Sequence, residues 1–273
     1  MNNLGIMQGR LSSIVNNKIQ SFPERSWTSE FSKIHKLKIR NLEWTLDYKN
    51  FYKNPLIDVN QHKKIFNLKK KYKIRINSVT CDCMMQKPFW KIKNNKKLLS
   101  DFKKIIISCS KLNLKYLVVP LVDNGRLETK KEENYFVSKM HELTPFIKNN
   151  KVEVIFESDY KPERLQKFVK RFDSKAFGIN YDTGNSAALN YDIDEEFKLY
   201  GRFIKNIHIK DRLKLGNTVR LGKGNTNFKK LLKNIKKIKY KKKLILQTAR
   251  SHNGNHVKEI EANILFLKEK NII

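Results

Sequence analysis

The chain has 273 residues, enough for one large domain with a full core. It carries 58 Lys+Arg against 26 Asp+Glu, a formal charge of +32, yet the lysines lie on every predicted helix and accompany many Asn, Ile, Phe and Tyr residues, so solvated helix faces and AT-rich codons account for them better than a nucleic-acid surface. Three cysteines exclude a disulfide framework, the start lacks a signal peptide's basic and apolar regions, and no apolar run reaches the ~18 residues of a membrane span, so a soluble cytoplasmic protein is expected.

Short apolar runs alternate with amphipathic stretches from end to end. Strands are expected at 3–8, 40–46, 74–80, 115–121, 151–158, 176–182, 204–210 and 243–249, each rich in β-branched or aromatic residues. Between them, Leu98, Phe102, Ile105 and Cys109 recur at helical spacing, as do Phe228, Leu231, Leu232 and Ile235, and Val257, Ile260, Ile264 and Leu267. Pro162 suits the first turn of a helix after "ESDYK", where its missing N–H costs nothing. No linker divides the chain, so residues 1–273 read as a single domain. A strand and a helix recur about every 34 residues, the repeat of eight units in an α/β class (β/α)8 TIM barrel.

Active sites of this fold gather at the C-terminal strand ends. The polar residues there are Gln8, Arg10, Glu43, Glu157, Asp159, Asp182, Asn185, His208, Lys210, Asp211, Gln247 and Arg250. Glu157, Asp182, His208 and Gln247 come from four successive strands at matching depth. Three oxygen donors and one nitrogen suit a divalent ion such as Mn, Mg, Co or Zn. Each has a structural alternative. Glu157 can pair with a base, Asp182 can cap a turn, His208 can be a hydrogen-bonded core histidine, and Gln247 alone says little.

The motifs "NLGIMQGRLS", "IFES", "NYDTGNSAAL", "NIHIKDR", "LGKGNTNF" and "LILQTAR" together resemble the xylose isomerase-like TIM barrels, the sugar phosphate isomerases and epimerases, over nearly the whole chain. The resemblance implies a divalent metal held by Glu157, Asp182 and His208, and proton abstraction beside a carbonyl through a metal-stabilised enediolate. It also implies a second glutamate on the last strand, where this chain has Gln247. An amide can bind a hard cation but cannot shuttle a proton near neutral pH. Glu157 is therefore expected to be the sole carboxylate base, with Lys210 or Asp211 as candidates for the second catalytic group.

Arg10 and Arg250 follow the first and last strands, which adjoin when a barrel closes, and two guanidinium groups suit a phosphate or carboxylate. The glycines of "LGKGN" are a weaker phosphate signal. Glu43, Asn185 and Asp211 complete the expected substrate contacts. The partner is thus expected to be a sugar or sugar phosphate, with no membrane, and a homo-oligomer is compatible with the sequence. An abasic-site endonuclease ranks lower, because the position for a second metal histidine holds Asn185. A third reading is a barrel that binds a sugar without turnover.

Overall fold

Eight parallel strands close a barrel in a computed structural model that describes residues 3–15, 17–251 and 253–273. The strands are β1 (Leu4–Met7), β2 (Asn41–Thr45), β3 (Arg75–Thr80), β4 (Tyr116–Leu121), β5 (Glu153–Ser158), β6 (Phe177–Asp182), β7 (Ile204–Ile209) and β8 (Leu244–Leu246). Each pairs with its neighbours in chain order, and β1 pairs with β8, Leu4 opposite Leu244. The last strand is shorter than expected, so Gln247 lies just beyond it, although its N–H still bonds the Ile209 carbonyl at 3.0 Å. His252 lies outside the described residues. No helix among the described residues is long and apolar enough to cross a membrane.

Strand alternation creates two environments. Phe156 points outward into Phe136, Phe168, Phe172 and Phe177, with ring centroids 5.0 to 5.8 Å away. Its neighbours Ile155 and Glu157 therefore point into the barrel. The expected helical stripes pack against the outside: Leu98, Phe102, Ile105 and Cys109 are all buried on the helix Lys96–Lys111. Pro162 opens the helix Pro162–Val169.

The barrel interior is apolar at one level and polar above it. Tyr116, Val118 and Ile155 form a small separate apolar cluster. The register then sets Asn180 beside Asn206 and Asp182 beside His208, two polar rungs on β6 and β7. A shift in pairing between Ile179 and Asn180 accommodates them. Interior polar groups are mostly paired, and here Asn206 donates to Asn180 Oδ1 at 2.8 Å while Asn180 Nδ2 lies 3.0 Å from His208 Nδ1.

Candidate metal and acid–base site

Glu157 on β5, Asp182 on β6 and His208 on β7 bring one donor atom each to within 4.8 Å of one another. All three are buried. Glu157 is held by both oxygens: Asn185 donates to Oε1 at 3.0 Å and Asn180 to Oε2 at 2.8 Å. Asp182 caps the helix Thr183–Ala188, its Oδ1 accepting from the N–H groups of Gly184 and Asn185. Its Oδ2 faces Lys210 Nζ at 2.7 Å. Gly184 makes that ion pair possible, because a Cβ there would stand 2.6 Å from the lysine Cγ and Cδ.

His208 is fully buried, with Nε2 2.6 Å from Glu43 Oε1 and Nδ1 3.1 Å from Glu157 Oε2. Glu43, on β2, crosses the barrel to reach it and also accepts from Ser78 Oγ and Asn206 Nδ2. A carboxylate behind a histidine fixes the ring, and the other nitrogen, Nδ1, lies 3.0 Å from Asn180 Nδ2 on the side of Glu157. Burial alone would lower the His208 pKa, but Glu43 and Glu157 outweigh it and raise the value to about 10. The raised pKa stabilises the metal-free fold fully below the ordinary value of ~6.5, and that contribution is lost as pH rises towards 10. A cation at Nδ1 must therefore displace a proton at neutral pH. Titration of Mn²⁺ in two buffers of different ionisation enthalpy should show about one proton released, and affinity rising between pH 6 and 9. A pH-independent affinity would exclude His208 as the ligand.

A cavity of about 660 Å³ opens at the mouth, and Glu157, Asn185, Lys210 and Gln247 line it. Gln247 Oε1 is buried without a hydrogen-bond partner. Two carboxylates, one imidazole nitrogen and this spare carbonyl fit a hard or borderline divalent cation.

Other expected contacts lie elsewhere. Glu43 partners His208 beneath the site, and His208, Ser78 and Asn206 share its two oxygens. Arg10 is buried, donating to the Ile19 carbonyl at 2.8 Å and to Gln20 Oε1 at 3.2 Å. Burial and neighbouring Arg250 lower its pKa to about 9. Arg250 donates to the Ser12 carbonyl. Neither arginine is among the residues lining the cavity. Asp211 is fully buried, and its carboxylate accepts from the N–H groups of Gly222, Gly224 and Thr226, each at 2.9 Å. The "LGKGN" loop thus wraps a carboxylate of its own chain.

Several cavity or supporting residues escaped the sequence reading. Asn180 and Asn206 stand two residues before Asp182 and His208, so the same alternation that exposed those two marks them as inward-facing. Gln20 and Asp82 also line the cavity. Burial and then Asp47 raise the Asp82 pKa to about 7. Asp82 sits between Cys81 and Cys83, and all three cysteines are buried and unbridged.

The sequence profile described as "Xylose isomerase-like TIM barrel" matches residues 35–270. Among curated proteins none matches. A xylose isomerase domain protein from Planctomyces limnophilus superimposes with a TM-score of 0.78 at 13% identity, over 98% of this chain and 96% of that one. A D-psicose 3-epimerase from Clostridium cellulolyticum H10, solved with D-tagatose, gives 0.74 at 14% identity over 98% of both chains. The IOLI protein, solved with a zinc atom, gives 0.69 at 15% identity over 97% of both. At these identities the likeness shows the fold.

Proposed function

The chain belongs to the xylose isomerase-like TIM barrel family, and from that premise we propose that it is a divalent-metal-dependent sugar isomerase or epimerase. The observation that carries this reading is the convergence of Glu157, Asp182 and His208 within 4.8 Å beside a sugar-sized cavity. Solved relatives in fold include a D-psicose 3-epimerase with D-tagatose and a zinc-containing protein.

Glu157, Asp182 and His208, with the Gln247 carbonyl, would hold a divalent cation, which would supply Lewis-acid polarisation of a substrate carbonyl and so acidify the adjacent C–H. Glu157 is the base. It lines the cavity, and the two asparagine contacts hold its carboxylate in one orientation. Lys210 lines the same cavity and is the candidate to protonate or neutralise a substrate oxygen. Gln247 cannot shuttle protons, so the proposed chemistry is one-sided, which favours aldose–ketose isomerisation over epimerisation. The cations that reach the cavity, Lys18, Arg126, Lys210 and Arg212, are the groups an anionic substituent would meet.

The deciding experiment is metal analysis followed by a deuterium-exchange screen over ketoses and their phosphates with Mn²⁺ present. Exchange of one C–H on one face is expected. Exchange on both faces would overturn the one-sided chemistry, and stoichiometric metal without exchange on any sugar would point to a barrel that only binds.

Lys210 competes with the cation for Asp182. Lys210→Met should therefore tighten Mn²⁺ binding roughly tenfold, about 1.4 kcal/mol, while lowering turnover. Weaker binding in calorimetry would show instead that the lysine organises the ligand set.

A further inference from the structure

The loop after β1 reaches the barrel mouth, where Lys18, Ile19 and Gln20 line the cavity. Gln20 is bonded at both ends of its amide. Its Oε1 accepts from Arg10 Nη2 at 3.2 Å and from Gln247 Nε2 at 2.8 Å, and its Nε2 donates to Asp82 Oδ2 at 2.7 Å. A guanidinium offers no acceptor, so Arg10 admits only an oxygen at that end of Gln20. That oxygen in turn admits only the N–H end of Gln247. The orientation of the Gln247 amide is thus dictated two residues away. Its nitrogen goes to the loop and its carbonyl oxygen is left over, buried and unpartnered. An unpaired buried carbonyl is unfavourable, and a ligand would satisfy it.

We infer that Gln20 is a positioning residue that latches the loop after β1 to the metal centre, holding the Gln247 amide so that its carbonyl oxygen is free for the cation. The inference rests on the metal-dependent reading above. It gives position 247 two tasks: accepting towards the cation and donating towards the loop. Glutamine performs both, and an ionised carboxylate has no donor for the second. Gln247→Glu would set acceptor against acceptor at Gln20 Oε1. Turning the Gln20 amide to compensate would face its N–H groups towards Arg10, donor against donor. The glutamine at this position is therefore matched to Arg10 and Gln20, not simply a glutamate lost.

The test needs only Mn²⁺ and calorimetry on four metal-free proteins: wild type, Gln20→Met, Gln247→Met and the double variant. Gln20→Met should weaken Mn²⁺ binding 10- to 100-fold in the wild-type background, the usual cost of losing a partner that orients a ligand. In the Gln247→Met background the same change should cost less than about twofold, because there is no amide left to orient. Equal factors in both backgrounds would overturn the latch while leaving the metal site intact. A wild-type protein that binds no Mn²⁺ would overturn the latch together with the metal-dependent reading.

Discussion

Glu157→Gln should reduce deuterium exchange into a sugar substrate by about 10³-fold or more, at saturating metal. The amide is nearly isosteric but has no basic oxygen for a C–H proton. It also disturbs its own cradle, because Asn180 and Asn185 both donate to the present carboxylate, and one of them would then face an N–H group. Mn²⁺ affinity should fall as well, so exchange must be measured across a metal titration and compared at saturation. Solvent exchange followed by NMR separates the two losses. Exchange within about tenfold of wild type at saturating metal would remove Glu157 from the role of base and turn attention to Lys210.

The largest effect on stability should come from Asp211→Ala. The carboxylate is fully buried and satisfies three backbone N–H groups of the loop after the short hairpin Asp211–Arg212 and Thr218–Val219. Hydrogen bonds to an ionised group are worth about 1.5–3 kcal/mol each. The exposed Gly222 N–H can turn to water, so the net loss should be about 3–5 kcal/mol, lowering the melting temperature by roughly 10 °C. The change should reach the site as well. Thr226 in that loop donates to the Lys210 carbonyl at 3.1 Å, close to where Lys210 meets Asp182. Thermal denaturation distinguishes this role from substrate binding. An unchanged melting temperature with a raised KM would make Asp211 a substrate contact.

The strands were legible because strand alternation is local. Each apolar run announced itself, and 176–182 and 204–210 coincide with Phe177–Asp182 and Ile204–Ile209 to within a residue. Polar residues at inward positions of such runs stand out for the same reason, which is how Glu157, Asp182 and His208 could be picked from sequence and found together. The eighth strand was legible in place but not in length, since the strand stops at Leu246 and only the Gln247 N–H continues its bonding to the seventh.

Partnerships across the barrel were not legible. Glu43 and His208 are 165 positions apart, and nothing near either residue names the other. Closing the barrel brings them face to face, because β2 and β7 stand across the interior from each other. Arg10 and Arg250 do follow adjoining strands, as expected, but each gives a donor to a loop carbonyl, and side-chain direction depends on loops that carry no periodic signal. Asp211 looked like a ligand contact because it ends a strand, and only the return of the chain at Gly222–Thr226 uses its carboxylate. Gln20 lies in an irregular segment and Asp82 opens the short helix Asp82–Gln86, so the chain of contacts from Asp82 to Gln20 to Gln247 exists only in three dimensions. The sequence by itself determined the repeat, the barrel and which polar side chains face inward, since each follows from near neighbours. The tertiary structure alone decided which of them pair, because hydrogen-bond partners are chosen by proximity after closure.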